Sequence, residues 1–153
     1  MATQGYKYYT RLKQKISYYP NALRIINDEK LIIDAKYIEV IEAAEYGHCT
    51  AWLELQSGFA KGGKGIPRNY KMARYYTDIM LKETTKCPIL RKDPQLKFDS
   101  LRASAYLEYN SNNLERAKLE FLKLVKFMVS KMPFDNWDFQ IFDILNNLKL
   151  PPQ

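Results

Sequence analysis

A glycine-rich segment between two helix-patterned stretches is the first place where this sequence could do chemistry. Residues 58–65 read GFAKGGKG, which mimics a phosphate-binding loop, where backbone N–H groups and a lysine cradle phosphates. Two features argue against that use. Gly65 replaces the Ser or Thr whose hydroxyl would hold magnesium, and the preceding AWLELQS is patterned as a helix rather than a strand. We therefore expect the glycines to serve a turn between helices, with no nucleotide or other cofactor bound.

His48 is the only histidine and hence the single candidate for histidine-based proton transfer near neutral pH. Cys49 cannot easily act as its nucleophile, since adjacent side chains on a helix point in different directions. Glu45 and His48 have the spacing of half a di-iron site, but a second such pair is missing. Asp135 and Asp138, which form a possible carboxylate cluster with Asp143, stand where a helix N-terminus favours negative charge. We predict no catalytic residue, no metal site and hence no enzyme.

The two cysteines, Cys49 and Cys87, form no CxxC pair, so the sequence contains neither a zinc knuckle nor a dithiol motif. We predict two buried thiols, because free cysteine packs like a small apolar residue; only geometry could reveal a disulfide. Apolar runs are far shorter than the roughly 20 residues of a membrane span, and the N-terminus lacks the apolar core of a signal peptide. Cytoplasm is the default expectation, with periplasm or secretion open if a signal peptide was removed.

Helical periodicity predicts the elements that position these groups. A first helix, ended by Pro20, carries one apolar face: Tyr8, Leu12, Ile16 and Tyr19. Residues 21–33 fit either a helix or two short strands about Asn27-Asp28, and we favour the helix. Three helices follow, from an Asp34 N-cap to about Tyr46, from Thr50 to the glycines, and from an Asn69 N-cap to about Lys82. Their predicted inward faces are Ile38, Ile41 and Ala44, then Ala51, Leu55 and Phe59, then Ala73, Tyr76 and Met80.

The C-terminal half is predicted to contain a connection and three more helices. Residues 84–97 hold two prolines and little periodicity, which indicates a connection. Helices are expected over residues 98–109 and 114–131, separated by a turn at 110–113, and over residues 135–148. Residues 134–148 should supply a terminal apolar cover: Phe134, Trp137, Ile141, Ile144, Leu145 and Leu148.

The formal charge of +7 is concentrated in the middle of the chain. Residues 58–97 hold ten basic and three acidic side chains, whereas the segments on either side are neutral. A concentrated positive field attracts an acidic partner, although a solvated basic loop is the alternative. The predicted partner-binding set takes Trp52 as an anchor together with the basic band: Lys61, Lys64, Arg68, Lys71, Arg74, Lys82, Lys86, Arg91 and Lys92.

The segment from Ala43 to Tyr76 resembles the Sel-like repeat, a long-loop relative of the tetratricopeptide repeat. The likeness rests on small, aromatic and glycine positions: Ala43-Ala44, Gly47, Ala51, Leu55, Phe59, Gly62, Gly65-Ile66-Pro67, Asn69-Tyr70, Ala73 and Tyr76. Gln56, Tyr76 and Met80-Leu81 depart from the family's pattern. Residues 98–131 are similar to the shorter tetratricopeptide form at Leu101, Ala105, Leu114, Ala117, Phe121 and Leu124. The resemblance implies an all-α domain over residues 1–153, with antiparallel helix pairs (about 43–81 and 98–131) stacked as a short solenoid and a capping helix over 134–149.

The same resemblance implies a non-enzymatic protein-binding module. A small basic protein of this kind could be a specific inhibitor, such as a bacterial immunity protein that occludes a toxin, or an adaptor. RNA or single-stranded nucleic acid is the alternative partner. Five tyrosines among the first nineteen residues could stack on bases. They are interleaved with four cations that could meet phosphates: Lys7, Arg11, Lys13 and Lys15.

Overall fold

The structure is a computed structural model that describes residues 21–82 and 94–148. The chain divides into two compact units, one up to Cys87 and the other from Pro88 onward. Both units are built from α-helices in their described parts, and the only β-type pairing there is an isolated bridge between Gly63 and Ile66. The predicted helix over residues 8–19 lies outside the described residues, as does most of the predicted connection over 84–97.

Four helices form the described part of the first unit: α1 (Asn21–Asp28), α2 (Ala35–Glu45), α3 (Cys49–Lys61) and α4 (Tyr70–Lys82). The helical alternative for residues 21–33 is thus confirmed over α1. Helices α3 and α4 form the main packed pair, and α2 is tied to α3 by the Trp52 indole N–H, which donates to the Ala44 carbonyl at 2.9 Å. The Phe59 and Tyr76 rings stack between α3 and α4 with centroids 6.3 Å apart.

Small residues make these close helix contacts possible. The predicted inward faces are confirmed in that nearly all their members are fully buried, the exception being Ile38, which is half-buried. Gly47, which follows α2, adopts a φ of 89°, a conformation that glycine supplies at helix C-termini. Asp34 does occupy the N-cap position of α2, but its side chain makes no capping hydrogen bond.

The second unit contains α5 (Pro94–Asn110), α6 (Leu114–Lys131), a 3-10 turn (Phe134–Asn136) and α7 (Gln140–Asn147). Helices α5 and α6 form its main packed pair. Phe121 of α6 lies at the centre of its core, where the rings of Tyr106 and Tyr109 meet it edge-on at 5.2 and 6.1 Å. Ala105 and Ala117 are fully buried in the same core.

Two predicted boundaries in this unit are wrong. Helix α5 begins at Pro94, four residues before the predicted start, because proline is favourable in the first turn, where its missing N–H costs nothing. The predicted helix over 135–148 is interrupted: a 3-10 turn comes first, and α7 begins only at Gln140, whose N–H donates to Asp138 Oδ1 at 3.1 Å. By contrast, α6 spans the predicted residues, and Asn112 makes the expected turn with a φ of 64°.

Candidate partner-binding surfaces

The loop between α3 and α4 is a tight turn with a fixed conformation. The Gly63 N–H donates to the Ile66 carbonyl at 2.8 Å and the Ile66 N–H donates back at 3.3 Å, which places Lys64 and Gly65 at the tip. Gly62 and Gly65 adopt φ values of 74° and 85°, a region that favours glycine. The glycines thus form the predicted turn between helices, although Gly63 itself does not adopt a positive φ.

Hydrogen bonds and packing from other residues of the first unit hold this loop in place. The Asp34 N–H donates to the Gly65 carbonyl at 2.8 Å, and a Cβ at Gly65 would run into the Asp34 side chain. The Ile66 side chain is buried beneath the loop. Asn69 confirms its predicted capping role, since its Oδ1 accepts the Met72 N–H at 2.9 Å. The loop therefore presents its side chains from a defined backbone.

Three cations project from this braced segment, which we call the basic loop: Lys61, Lys64 and Arg68, together with the glycines between them. All three side chains are exposed. The backbone of Arg68 lies against Gly62, so the two ends of the loop, and hence Lys61 and Arg68, are close in space. The structure therefore gathers part of the predicted basic band at one loop.

Two more members of the band are exposed on α4, Lys71 and Lys82. The Lys71 ammonium donates to Glu29 at 3.3 Å, and the Asn69 amide donates to the other oxygen of the same carboxylate at 3.3 Å. These hydrogen bonds, that of Asn69 first, lower the pKa of Glu29. Lys71 thus helps to fasten α4 to the end of α1. Lys86, Arg91 and Lys92 lie outside the described residues.

Trp52 and Arg74 do not belong to a partner-binding surface in this fold. Trp52 is fully buried and its indole N–H is bonded to the Ala44 carbonyl, so a partner could not reach it without opening the core. The Arg74 side chain is only 9% exposed, and its guanidinium pairs with Asp78 one turn later at 2.8 Å. Helical periodicity cannot distinguish a buried arginine that is paired with an exposed carboxylate from a solvated cation. We therefore remove Trp52 and Arg74 from the predicted partner-binding residues.

Polar groups in the core of the first unit were not anticipated from sequence. Glu45 is buried, which raises its pKa with a further contribution from Glu42. Burial also raises the pKa of Tyr76 well above its ordinary value, and the charges of Tyr75 and Glu45 add to the effect. Among the residues that the structure describes, neither Glu45 Oε1 nor the Tyr76 hydroxyl has a hydrogen-bond partner.

His48 is buried at the N-cap of α3, where its carbonyl accepts the Ala51 N–H at 2.9 Å. A shallow groove in this unit runs along α1, and its described lining contains neither a histidine nor a carboxylate: Leu23, Arg24, Ile26, Asn27, Lys30 and Leu31. In the described ranges no three acidic, histidine or cysteine side chains are grouped so that they could hold a metal ion. Glu45, Tyr76 and His48 are thus buried in the packed core and are not among the described residues that line the groove.

The prediction of a free, buried thiol is wrong for Cys49. It is buried as expected, but it is disulfide-bonded rather than free. Cys87, the other cysteine of the chain, lies outside the described residues. The sequence carried no signal for the bond, because the two cysteines follow no motif.

The second unit carries a group of aromatic rings, three of them exposed and Trp137 half-buried against the core. We call it the aromatic patch: Phe134, Trp137, Phe139 and Phe142. The sequence analysis assigned Phe134 and Trp137 to the inward cover; Ile141 and Leu148 of that cover are buried, whereas Phe134 is exposed. Phe134 is 62% exposed and Phe139 52% exposed, and their ring centroids lie 5.4 Å apart. Phe139 also meets Phe142 at 6.1 Å, while Trp137 is anchored by its indole N–H to the Met132 carbonyl at 3.0 Å. Exposed aromatic rings in contact with one another are typical of protein-binding surfaces.

Acidic residues alternate with these rings. Residues 134–148 contain three aspartates and no basic side chain. Asp138 pairs with Arg102 of α5 at 3.2 Å, whereas Asp135 and Asp143 are exposed. The aromatic residues follow one another at steps of three, two and three, which one helical face does not accommodate, and this spacing is the sequence signal by which the patch could have been found.

Comparison with known proteins gives no relative for this chain: no family model, curated protein or solved structure matches it. Over residues 21–82 and 94–148 the fold defines the class as all-α, built from packed helix pairs. Within the described ranges, no helix is both long enough and apolar enough to cross a membrane.

Proposed function

We propose that this chain is a non-enzymatic protein-binding module that contacts an acidic partner surface through the basic loop. The observation that carries the proposal is the exposure of Lys61, Lys64 and Arg68 on a backbone held by Asp34 and Asn69. A pre-ordered loop loses little conformational freedom on binding, so its charges can contribute to affinity as well as to the rate of encounter. The long-range part of their attraction is weakened by salt.

A protein partner is favoured over nucleic acid by the second surface. The aromatic patch lies among Asp135 and Asp143, whose charges would repel phosphates, whereas aromatic anchors are common in protein interfaces. The Sel-like resemblance supports the same class, because the alanines that would bring its helices together are fully buried: Ala43, Ala44, Ala51 and Ala73. We further propose that the helix pairs form a short solenoid of Sel-like type. The binding function that we propose is that of a specific inhibitor, such as an immunity protein against a toxin, and the alternative is an adaptor.

The disulfide at Cys49 adds a proposal about compartment. Disulfides persist in oxidising environments and are rare in the cytosol. We therefore favour the periplasmic or secreted alternative over the cytoplasmic default.

The proposal is tested by affinity capture from the source organism with a double charge reversal, Lys64→Glu with Arg68→Glu. The control carries the same change of charge on the second unit, Lys123→Glu with Lys131→Glu, both at exposed positions. We expect one acidic protein to be retained by the wild type and the control and lost with the loop variant. Equal retention by all three proteins would show that the basic loop does not bind the partner. Circular dichroism checks that each variant is folded.

Nucleic acid remains the second candidate, because the exposed cations of the basic loop could also contact phosphates. The probe is a mixed-sequence single-stranded RNA followed by fluorescence anisotropy over a salt series. Phosphate contacts would make the logarithm of affinity fall with the logarithm of salt by about 0.7 per contact. Tight binding with such a slope, abolished by the loop variant, would replace the acidic protein with RNA as the partner.

A further inference from the structure

Helix α6 has a second apolar face, opposite the one that packs in the core. Its buried face consists of Ala117, Phe121, Leu124 and Met128, all fully buried. On the other side, Leu119 is 61% exposed, Leu122 42% and Val129 52%. A surface helix of a monomeric protein ordinarily has one apolar face, so the exposed one needs an explanation.

The exposed face follows a coiled-coil spacing. We call it the outer stripe: Glu115, Leu119, Leu122, Lys126 and Val129, which succeed one another at intervals of four, three, four and three residues. This alternation is that of the a and d positions through which two helices pack side by side. The two charged members, Glu115 and Lys126, are both exposed and have opposite signs.

We propose that the outer stripe binds the outer stripe of a second copy of this chain, with the two α6 helices antiparallel. In a parallel, in-register pair each charge would face its own copy, Glu115 against a glutamate and Lys126 against a lysine. In an antiparallel pair centred between positions 120 and 121, Leu119 faces Leu122 of the second copy and Glu115 faces Lys126 of the second copy. Charge complementarity between Glu115 and Lys126 therefore favours a second copy of the chain as the partner and an antiparallel orientation of the two helices.

The arrangement also meets the symmetry of a two-fold dimer, in which a residue i contacts j and j contacts i. The Glu115–Lys126 contact occurs twice, once at each end of the paired leucines. In this register the two stripes overlap from Glu115 to Lys126, about 17 Å at about 1.5 Å per residue, and Val129 lies beyond the overlap. A single helix face of that length buries less than the roughly 800 Å² per partner of a standard stable interface, so the dimer should dissociate on dilution.

The test is sedimentation equilibrium of the full chain over a wide concentration range, with Glu115→Lys and Lys126→Glu made singly and together. Each single reversal places like charges at both ends of the stripe and should weaken association by about tenfold or more. The double variant restores opposite charges with their order exchanged and should dimerise like the wild type. Lys131→Glu, an exposed change outside the stripe, should leave association unchanged.

A wild type that stays monomeric at every concentration would overturn the proposal. So would single reversals that have no effect, or a double variant that is no better than the single ones, because in both cases the paired charges would not be those of the antiparallel stripe. Circular dichroism of each variant confirms folding, which these exposed positions should not disturb.

Discussion

Replacing Gly65 with alanine tests whether the basic loop is held by backbone geometry. Gly65 has a φ of 85°, where a non-glycine residue costs about 1–2 kcal/mol. The added Cβ would also collide with the Asp34 side chain. Because the Asp34 N–H donates to the Gly65 carbonyl at 2.8 Å, any shift that relieves the collision strains this bond, which is worth about 1 kcal/mol. We expect Gly65→Ala to lower the free energy of unfolding by about 2–3 kcal/mol.

Gly63→Ala is the matched control for the same loop. It makes the same change to the unfolded chain, but Gly63 has no positive φ, and its added Cβ would meet only Ile66 Cγ2, at 4.0 Å. Gly63→Ala should therefore be neutral or stabilising by less than about 1 kcal/mol. The difference between the two variants isolates the strain in the folded loop from the entropy of the unfolded chain.

Urea unfolding followed by tryptophan fluorescence can measure this difference within the first unit. The chain has two tryptophans, Trp52 and Trp137. In a Trp137→Phe background only Trp52 reports, and it is buried in the unit that carries the loop. If Gly65→Ala and Gly63→Ala unfold at the same free energy within about 0.5 kcal/mol, the loop is not held as described and our reasoning fails.

Three other predictions concern the core of the first unit. Titration of the denatured, unreduced protein should find no free thiol at Cys49, and reduction should lower the thermal midpoint; a reactive Cys49 would contradict the disulfide. Glu45 has a raised pKa in the fold, so its contribution to stability is lost as the pH rises from the ordinary value of 4.5 through the folded pKa. Glu45→Gln should therefore raise the thermal midpoint more at pH 7 than at pH 4, and an equal effect at both would refute the assignment. Trp52→Phe removes the hydrogen bond to Ala44 and leaves a small cavity, so unfolding should become easier by about 2–3 kcal/mol; a change below about 0.5 kcal/mol would show that the bond and packing contribute little.

Helix positions could be predicted from sequence where one strong period and clear end signals agreed. Helix α6 illustrates this, because its apolar spacing is regular and the polar turn before it offers only one start. The start of α5 could not be predicted in the same way, since Pro94 indicates both a break in a preceding element and the first turn of a new one. The interruption before α7 depends on Asp138 accepting the Gln140 N–H, a local competition with the helix that periodicity does not describe.

The sequence allowed the positive charge of the candidate site to be predicted, but not which of its side chains are exposed to solvent. Sequence places Arg74 in the same basic run as Lys64, yet in the structure Arg74 is buried and paired with Asp78, whereas Lys64 is exposed at a loop tip. Trp52 fails for a related reason, because an aromatic side chain that flanks a helical face can belong either to the core or to a partner surface. Only three-dimensional packing assigns it to the core.

The proposed binding at the basic loop has two requirements that different variants can separate. Lys64→Glu with Arg68→Glu changes the sign of the loop but leaves its glycines intact, whereas Gly65→Ala keeps every charge and disturbs the backbone that presents them. Loss of partner binding in both variants, each still folded, would mean that the partner recognises charges at fixed positions. Loss with the charge reversal alone, together with retained binding in Gly65→Ala, would mean that the partner responds to the local field rather than to the loop's shape. The first result is the one we expect, because Asp34, Ile66 and Asn69 hold a loop that long-range attraction alone would not require to be ordered.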